Sequence, residues 1–334
     1  LSKTRDISID ILKIISMAAV LFLHTQRNAE LGVVFNPVLY YGSRFAMPVF
    51  FMINGMLILD HEEYTFQYYK RKIFNMIRIT VIWGIITAIY SLFFEGASII
   101  QAAINGIRCL YGGHIVPFWF ITTFAIIYTL LLFSFKVVKK HLNLIVLILG
   151  IICFLIDSIS LVNIFFFNGF YIQEPVNQRI RLWTWLFYFL MGYKLKDIKL
   201  PHNLKYVMPI FVLIMTILAI IYQYFIFVIK LNKINSSYCY ESPLIMFWVC
   251  CVFVCVRNIK WPEKNRFNIV AQQISKCSFG VFLFHMFFIK CFDTTSRFTT
   301  PFSSFLVWFI LWNGCLLISF LISKIPYLKK TIEY

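Results

Sequence analysis

At 334 residues the chain is 60% apolar and 13% charged, with a mean hydropathy of +0.79; soluble domains carry about 25% charged residues, so a soluble fold is excluded. The net charge of +17 invites a nucleic-acid partner, but the placement of the cations along the chain argues against one. The composition predicts an all-α, polytopic integral membrane protein.

About 20 apolar residues cross roughly 30 Å of hydrocarbon as a helix. Ten such spans are predicted, at 8–28, 36–59, 74–95, 116–135, 142–160, 180–195, 206–229, 241–257, 277–293 and 303–323. The fifth, which holds Asp157, and the eighth are short. Residues 1–334 are thus expected to form a single membrane-embedded domain, since the longest non-spanning pieces are only 96–115, 160–180 and 258–276. With the N-terminus in the cytoplasm, 20 of the 31 Lys and Arg residues fall on the inner side and 7 on the outer. The remaining 4 (Lys13, Arg44, Arg78 and Lys290) lie within spans. Such a bias over short loops sets orientation, which predicts both termini inside and assigns most loop lysines a topogenic role against membrane lipid.

The first span, IDILKIISMAAVLFLH, carries Asp10, Lys13 and His24. At 100° per residue the step from Lys13 to His24 is about 1100°, roughly 20° from full turns. Both side chains therefore face one way, about 16 Å apart along the axis. Ionisable groups inside hydrocarbon are costly and mark functional sites by default. A neutral imidazole near the outer end has a pKa close to working pH and can take a proton from a hydroxyl; read alone, it can equally hydrogen-bond a neighbouring helix. Lys13 and Asp10 fit an ordinary snorkelling pair as well.

In the second span, NPVLYYGSRFAMPVFFMINGMLIL, Arg44 lies about 12 Å deep. A buried guanidinium demands a carboxylate, a carbonyl cage or an anionic substrate. Gly55 beside Asn54 marks a close-packing site between helices. Lys70, Arg71 and Lys72 open the third span, either as an anchor on anionic headgroups or as a clamp for phosphates. Before span six, FFFNGFYIQEPVNQRIRLW is aromatic and holds Glu174 and Arg181; an interfacial belt and a sugar-stacking surface both fit it. Span nine, SKCSFGVFLFHMFF, places His285 near mid-membrane, facing the bundle interior, where a helix-packing histidine fits better than a catalytic one. The cysteines lie mostly in spans, and only Cys109 and Cys239 fall in outer segments where pairing under oxidising conditions is open. No zinc-type spacing occurs, and no metal is expected.

Taken together, these segments resemble the acyltransferase-3 family of bacterial integral-membrane acyltransferases over nearly the whole chain. Asp10, Lys13 and His24 match its opening pattern, an arginine ten residues short of a histidine. RFAMPVFFMINGMLI (Arg44 to Ile58) is similar to its RFAVPxFFxxSGYL signature, and KRKIFNMIR to its basic start of the third helix. PFWFITTFAIIY around Trp119 resembles its WFL motif. RLWTWLFYFLMGYKL and SKCSFGVFLFH resemble its FYFxxGxxL and SYGIYLxH motifs. Lys13 stands where arginine is usual, Asn54 where serine is usual, and Asn75 where a further arginine is often found.

The resemblance implies an O-acyltransferase of the bacterial cytoplasmic membrane. It would move an acetyl group from cytoplasmic acetyl-CoA to a hydroxyl of a surface glycan or lipid-linked sugar. Lys13, Lys70, Arg71, Lys72 and Trp119 would hold the donor. His24 would serve as general base or carry the acyl group, with Asp10 and Arg44 completing the catalytic set, and Glu174, Arg181 and His285 would meet the acceptor. The alternative from the same intramembrane charges is a transporter or exporter of a small polar molecule or polysaccharide.

Overall fold

The computed structural model describes residues 6–27, 36–109, 111, 115–116, 118–167, 169–234, 239–262, 265–293 and 301–332. Lys3, Arg5, Lys264 and Arg297, counted above for orientation, lie outside them. The chain is 81% helical, with no strand among the described residues: an all-α polytopic membrane protein.

In order the helices are α1 (Ile7–Arg27), α2 (Pro37–Gly42), α3 (Ala46–Leu59), α4 (Phe66–Phe93), α5 (Ile99–Arg108), α6 (Trp119–Lys140) and α7 (Leu142–Phe166). They continue with α8 (Leu182–Leu195), α9 (His202–Gln223), α10 (Pro243–Asn258), α11 (Asn265–Asp293), α12 (Pro301–Lys324) and α13 (Pro326–Lys329). Every predicted span carries helix. Among the described residues, 7 helical segments are long and apolar enough to cross a membrane. At 14 and 16 residues, α8 and α10 extend only about 21 and 24 Å, while α11 has 29 residues and is more polar.

Local sequence explains several boundaries. Asn36 caps α2 by accepting from the Val38 and Leu39 amides, Thr65 caps α4 and Ser98 caps α5, the residue types that satisfy orphan N–H groups. The second span is one segment in sequence but two helices in space, interrupted at Ser43–Phe45. Pro48 is the cause: its ring collides with the carbonyl four residues earlier, which is that of Arg44. Near the break the carbonyl of Tyr41 accepts from the Arg44 amide at 3.2 Å and from the fully buried Gln223 Nε2 at 3.3 Å. Within the outer segment 96–115, α5 folds back onto α4, with Gly84 and Gly106 facing each other so closely that a Cβ on either would stand 2.8 Å from the other's carbonyl oxygen.

The bundle centres on α3, which is buried along nearly its whole length and packs on α8, α1 and α10. Its contact with α8 is backbone on backbone: a Cβ at Gly55 would overlap the Phe189 carbonyl, and one at Gly192 would overlap that of Met52. This bears out Gly55 as a close-packing site. α1 lies against α11 and α12, α7 against α8, and α9 against α10. The outer faces of α7 and α9 expose large apolar side chains, among them Leu147, Leu155, Ile210 and Leu213, a surface suited to lipid. Trp83, Trp185 and Trp248 are fully buried, and each indole N–H finds an acceptor, at Thr331 O, Gln178 O and Thr216 Oγ1 respectively.

A cavity with a charged mouth and a pair of histidines

A cavity of about 1010 Å³ enters the bundle at the end where α1 begins. Its walls come from α1 (Asp6 to Met17), α3 (Met47 to Leu57), the first turns of α6 and the stretch Ser275 to Phe282 of α11. Along α1 it extends about 16 Å. The mouth is charged and the depth apolar. Lys13, Lys72, Lys196, Arg257 and Lys276 supply five cationic groups to the lining, and Asp6, Asp10, Asp60 and Asp197 supply four acidic ones. Met17, Met47, Phe120 and Phe282 belong to the apolar part of the lining, away from these charges.

Two ion pairs organise the mouth. Arg257 Nη1 meets Asp6 and donates to Ser8 Oγ at 3.1 Å, while its Nη2 donates to the Lys196 carbonyl at 2.9 Å. Lys196 in turn pairs with Asp60. Burial alone would raise the Asp6 carboxyl, but hydrogen bonds from Ser8 and the Arg257 charge outweigh it and hold Asp6 below the usual carboxylate range. The same opposition acts on Lys196, which burial would lower and Asp60 raises.

The residues expected to hold a donor separate here. Lys13 and Lys72 line the cavity, close enough for their charges to repel. Lys70 and Arg71 do not line it: Lys70 is exposed, and Arg71 sits 5.5 Å over the Tyr68 ring. Trp119 packs 5.2 Å from the Trp185 ring, next to the cavity-lining Phe120 but outside the lining itself. Asn54 lines the wall, donating to the Phe50 carbonyl and accepting from Tyr128.

His24 and His285 come together with ring centroids 5.0 Å apart. Neither histidine is among the cavity-lining residues, but the lining Phe282 ring lies 5.6 Å from His285 and 4.5 Å from the lining Phe120 ring. His285 is fully buried. Its Nδ1 lies 2.6 Å from the Phe282 carbonyl; a carbonyl only accepts, so Nδ1 carries the hydrogen and Nε2 the lone pair. That Nε2 is buried without a hydrogen-bond partner. The two imidazoles, from the first and ninth predicted spans, are thus neighbours inside the bundle.

Arg44 is 6% exposed, at the α2–α3 break. It donates to the Tyr40 hydroxyl at 2.6 Å and the Tyr240 hydroxyl at 3.3 Å, with its guanidinium over both rings. This cage lies toward α10, on the half of the bundle opposite the mouth. Glu174 pairs at 2.6 Å with Lys233 in a half-exposed contact. Arg181 is buried at the start of α8, donating to the Val176 carbonyl, with its charge turned toward Glu241. Cys109 and Cys239 are buried thiols, facing Thr87 and Gln223 respectively, and do not pair with each other. Lys290, counted within a span, pairs with Glu95 at 2.6 Å.

Sequence reasoning missed Lys196, Arg257, Lys276, Asp6 and Asp60 at the mouth, and it missed Glu241. Glu241 is 1% exposed and accepts from Thr184, Trp183 and Gln173. The available signal for Glu241 was a carboxylate opening an otherwise apolar span. For the mouth it was acids and bases at the same end of different spans.

Comparison with known proteins agrees with this architecture. A family model described as an acyltransferase domain, acyltransferase-3, matches residues 6–324, nearly the whole chain. No curated protein and no solved structure matches it.

Proposed function

The chain belongs to the acyltransferase-3 family of membrane acyltransferases, and we propose that it moves an acetyl group from cytoplasmic acetyl-CoA to a hydroxyl of a surface glycan or lipid-linked sugar at the bacterial cytoplasmic membrane. The observation that carries this reading is the combination of a charged cavity mouth, a 1010 Å³ cavity and the His24–His285 pair beside its lining Phe282 ring. In this reading both termini face the cytoplasm. The phosphates of the donor remain at the mouth, near Lys13 and Lys72, and Asp10 orients Lys13 from one turn away. The pantetheine arm follows α1 inward past Met17. From Met17 to His24 is a further 10 Å or so of helix, within reach of the thioester once the Phe282 side chain turns aside.

His24 takes the proton of the acceptor hydroxyl as that oxygen attacks the thioester carbonyl, and CoA leaves as the thiol. His285, with Nε2 carrying its lone pair, supports the charge that develops on His24. The acceptor approaches from the opposite half of the bundle, where Arg44 and its two tyrosines, Arg181, Glu174 and the surrounding aromatic rings offer polar and stacking contacts. Lys70 and Arg71 serve the donor from outside the cavity, as part of the basic entrance, and Trp119 braces the wall behind Phe120.

The direct test is incubation of purified protein with labelled acetyl-CoA and an extract of envelope glycans. Thiol release with label appearing in glycan is expected, and thiol release that ignores added acceptor would remove the transfer reading. The aromatic barrier is tested separately by Phe282→Leu. A shorter side chain opens the passage between cavity and imidazoles, so water reaches the thioester. Acceptor-independent thiol release should rise several-fold, and a size-exclusion profile checks that folding is retained, since leucine keeps the site apolar but fills less of it. Unchanged background hydrolysis would show that the ring is not the barrier.

A further inference from the structure

We propose that Arg257 and Lys196 are the phosphate-binding groups of the donor cavity, and that Asp6 and Asp60 are internal stand-ins that the phosphates displace. The inference deepens the donor reading above and rests on it.

The first support is the geometry of Arg257. Its two terminal nitrogens are held by Asp6, Ser8 and the Lys196 carbonyl, while its Nε is buried without a hydrogen-bond partner. A guanidinium presents its donors in a rigid planar fork. A tetrahedral phosphate accepting from Nε and an Nη satisfies that buried donor, which the single Asp6 oxygen at Nη1 does not. Lys196 lies in the same assembly through its own carbonyl and contributes a point charge beside the fork.

The second support is charge balance. The cavity lining carries five cationic groups against four acidic ones, so it offers a polyanion little net attraction while every carboxylate stays in place. An ion is gained at such a mouth only by exchange. Exposure decides which partners leave. The Asp6 and Asp60 side chains are 42% and 34% exposed, against 16% and 18% for Arg257 and Lys196. The carboxylates are the more solvent-open partners and can swing into water, where screening weakens the pair, while the more buried cations stay in place. In the empty protein the acids keep the cations ordered and screened from other anions. A ligand with several phosphates replaces both contacts at once.

The experiment is titration of CoA into the full chain in detergent, read by calorimetry, for wild type and for Arg257→Gln, Arg257→Lys, Lys196→Gln, Asp6→Asn and Asp60→Asn. Arg257→Gln should weaken CoA binding about tenfold or more, the loss of a charged hydrogen bond, with Arg257→Lys intermediate and Lys196→Gln weaker in the same direction. Asp6→Asn and Asp60→Asn should each tighten binding, by roughly two- to fivefold, the strength of the pair removed. Loss of a structural contact alone would not tighten binding. Should Arg257→Gln prove misfolded by size exclusion, the Lys196 and aspartate variants decide. Wild type that binds no CoA would overturn the donor reading itself. Wild type that binds CoA, with Arg257→Gln and Lys196→Gln unchanged or the aspartate variants unchanged or weaker, would overturn this inference alone.

Discussion

Replacing His24 by alanine is expected to lower acceptor-dependent acyl transfer by about 100-fold or more, the usual worth of a positioned general base, while leaving CoA affinity and folding intact. The separation of effects follows from placement. His24 is not among the cavity-lining residues and faces His285, so it does not contribute to the charged mouth proposed to bind the donor. It is only partly buried, so truncation leaves a gap that its surroundings can partly refill. The measurement is transfer of label at saturating donor, accompanied by CoA titration and a size-exclusion profile. His285→Gln should give a smaller loss, because an amide fills the space and can still meet the Phe282 carbonyl but cannot share positive charge. A brief incubation with labelled donor and no acceptor separates base from nucleophile. A base leaves the protein unlabelled, whereas an acyl-imidazole would carry the label through rapid quenching. Turnover retained by His24→Ala would remove His24 from the mechanism.

The stripe of Asp10, Lys13 and His24 was legible because helical periodicity is local: one span, one face, one count of residues. The interruption of that stripe was not. Phe282 and Phe120 come from helices more than 90 residues away in sequence from His24, and nothing in the first span reports that their rings meet at the cavity wall, which Met17 lines and His24 does not. Lys70, Arg71 and Lys72 show the opposite failure. Three consecutive residues of a helix point in directions 100° apart, so they cannot all face one cavity, and Lys72 is the one that does. The helix break in the second span was written in Pro48, four residues past Arg44, yet a hydropathy reading passes over it because proline and its neighbours are all apolar enough to span. The mouth pairs join the start of α1, the end of α3, the end of α8 and the last turn of α10. Such contacts between span ends are set by bundle topology, which periodicity does not encode. Fold class was therefore readable from composition and span count, and the stripe of ionisable residues from one helix, while the charged mouth required the assembled bundle.

Gly192→Ala is expected to be the most damaging single-methyl change in the protein, with Gly55→Ala close behind. At both positions the helix backbones of α3 and α8 touch, and the added carbon would overlap a main-chain carbonyl, that of Met52 or Phe189. A flexible side chain could give way, but a carbonyl moves only with its helix. Overpacking in a dense interior costs typically 1–3 kcal/mol, and separating two whole helices should place these variants at the top of that range or above it. The loss reaches function through α3, whose Phe50, Ile53, Asn54 and Leu57 line the donor cavity. Pushing α3 off α8 strains the Asn54–Tyr128 hydrogen bond and reshapes that wall. Both variants should show a lowered midpoint of heat-induced aggregation in detergent, with reduced CoA binding in whatever protein survives. Gly314→Ala supplies the contrast. It too adds one methyl to a membrane helix, but nothing lies within 4 Å of the new carbon, and alanine is the better helix former by about 1 kcal/mol. That variant should be neutral or stabilising. Equal stability of the Gly192 and Gly314 variants would mean that α3 and α8 are not in backbone contact, and the cavity wall would have to be rebuilt accordingly.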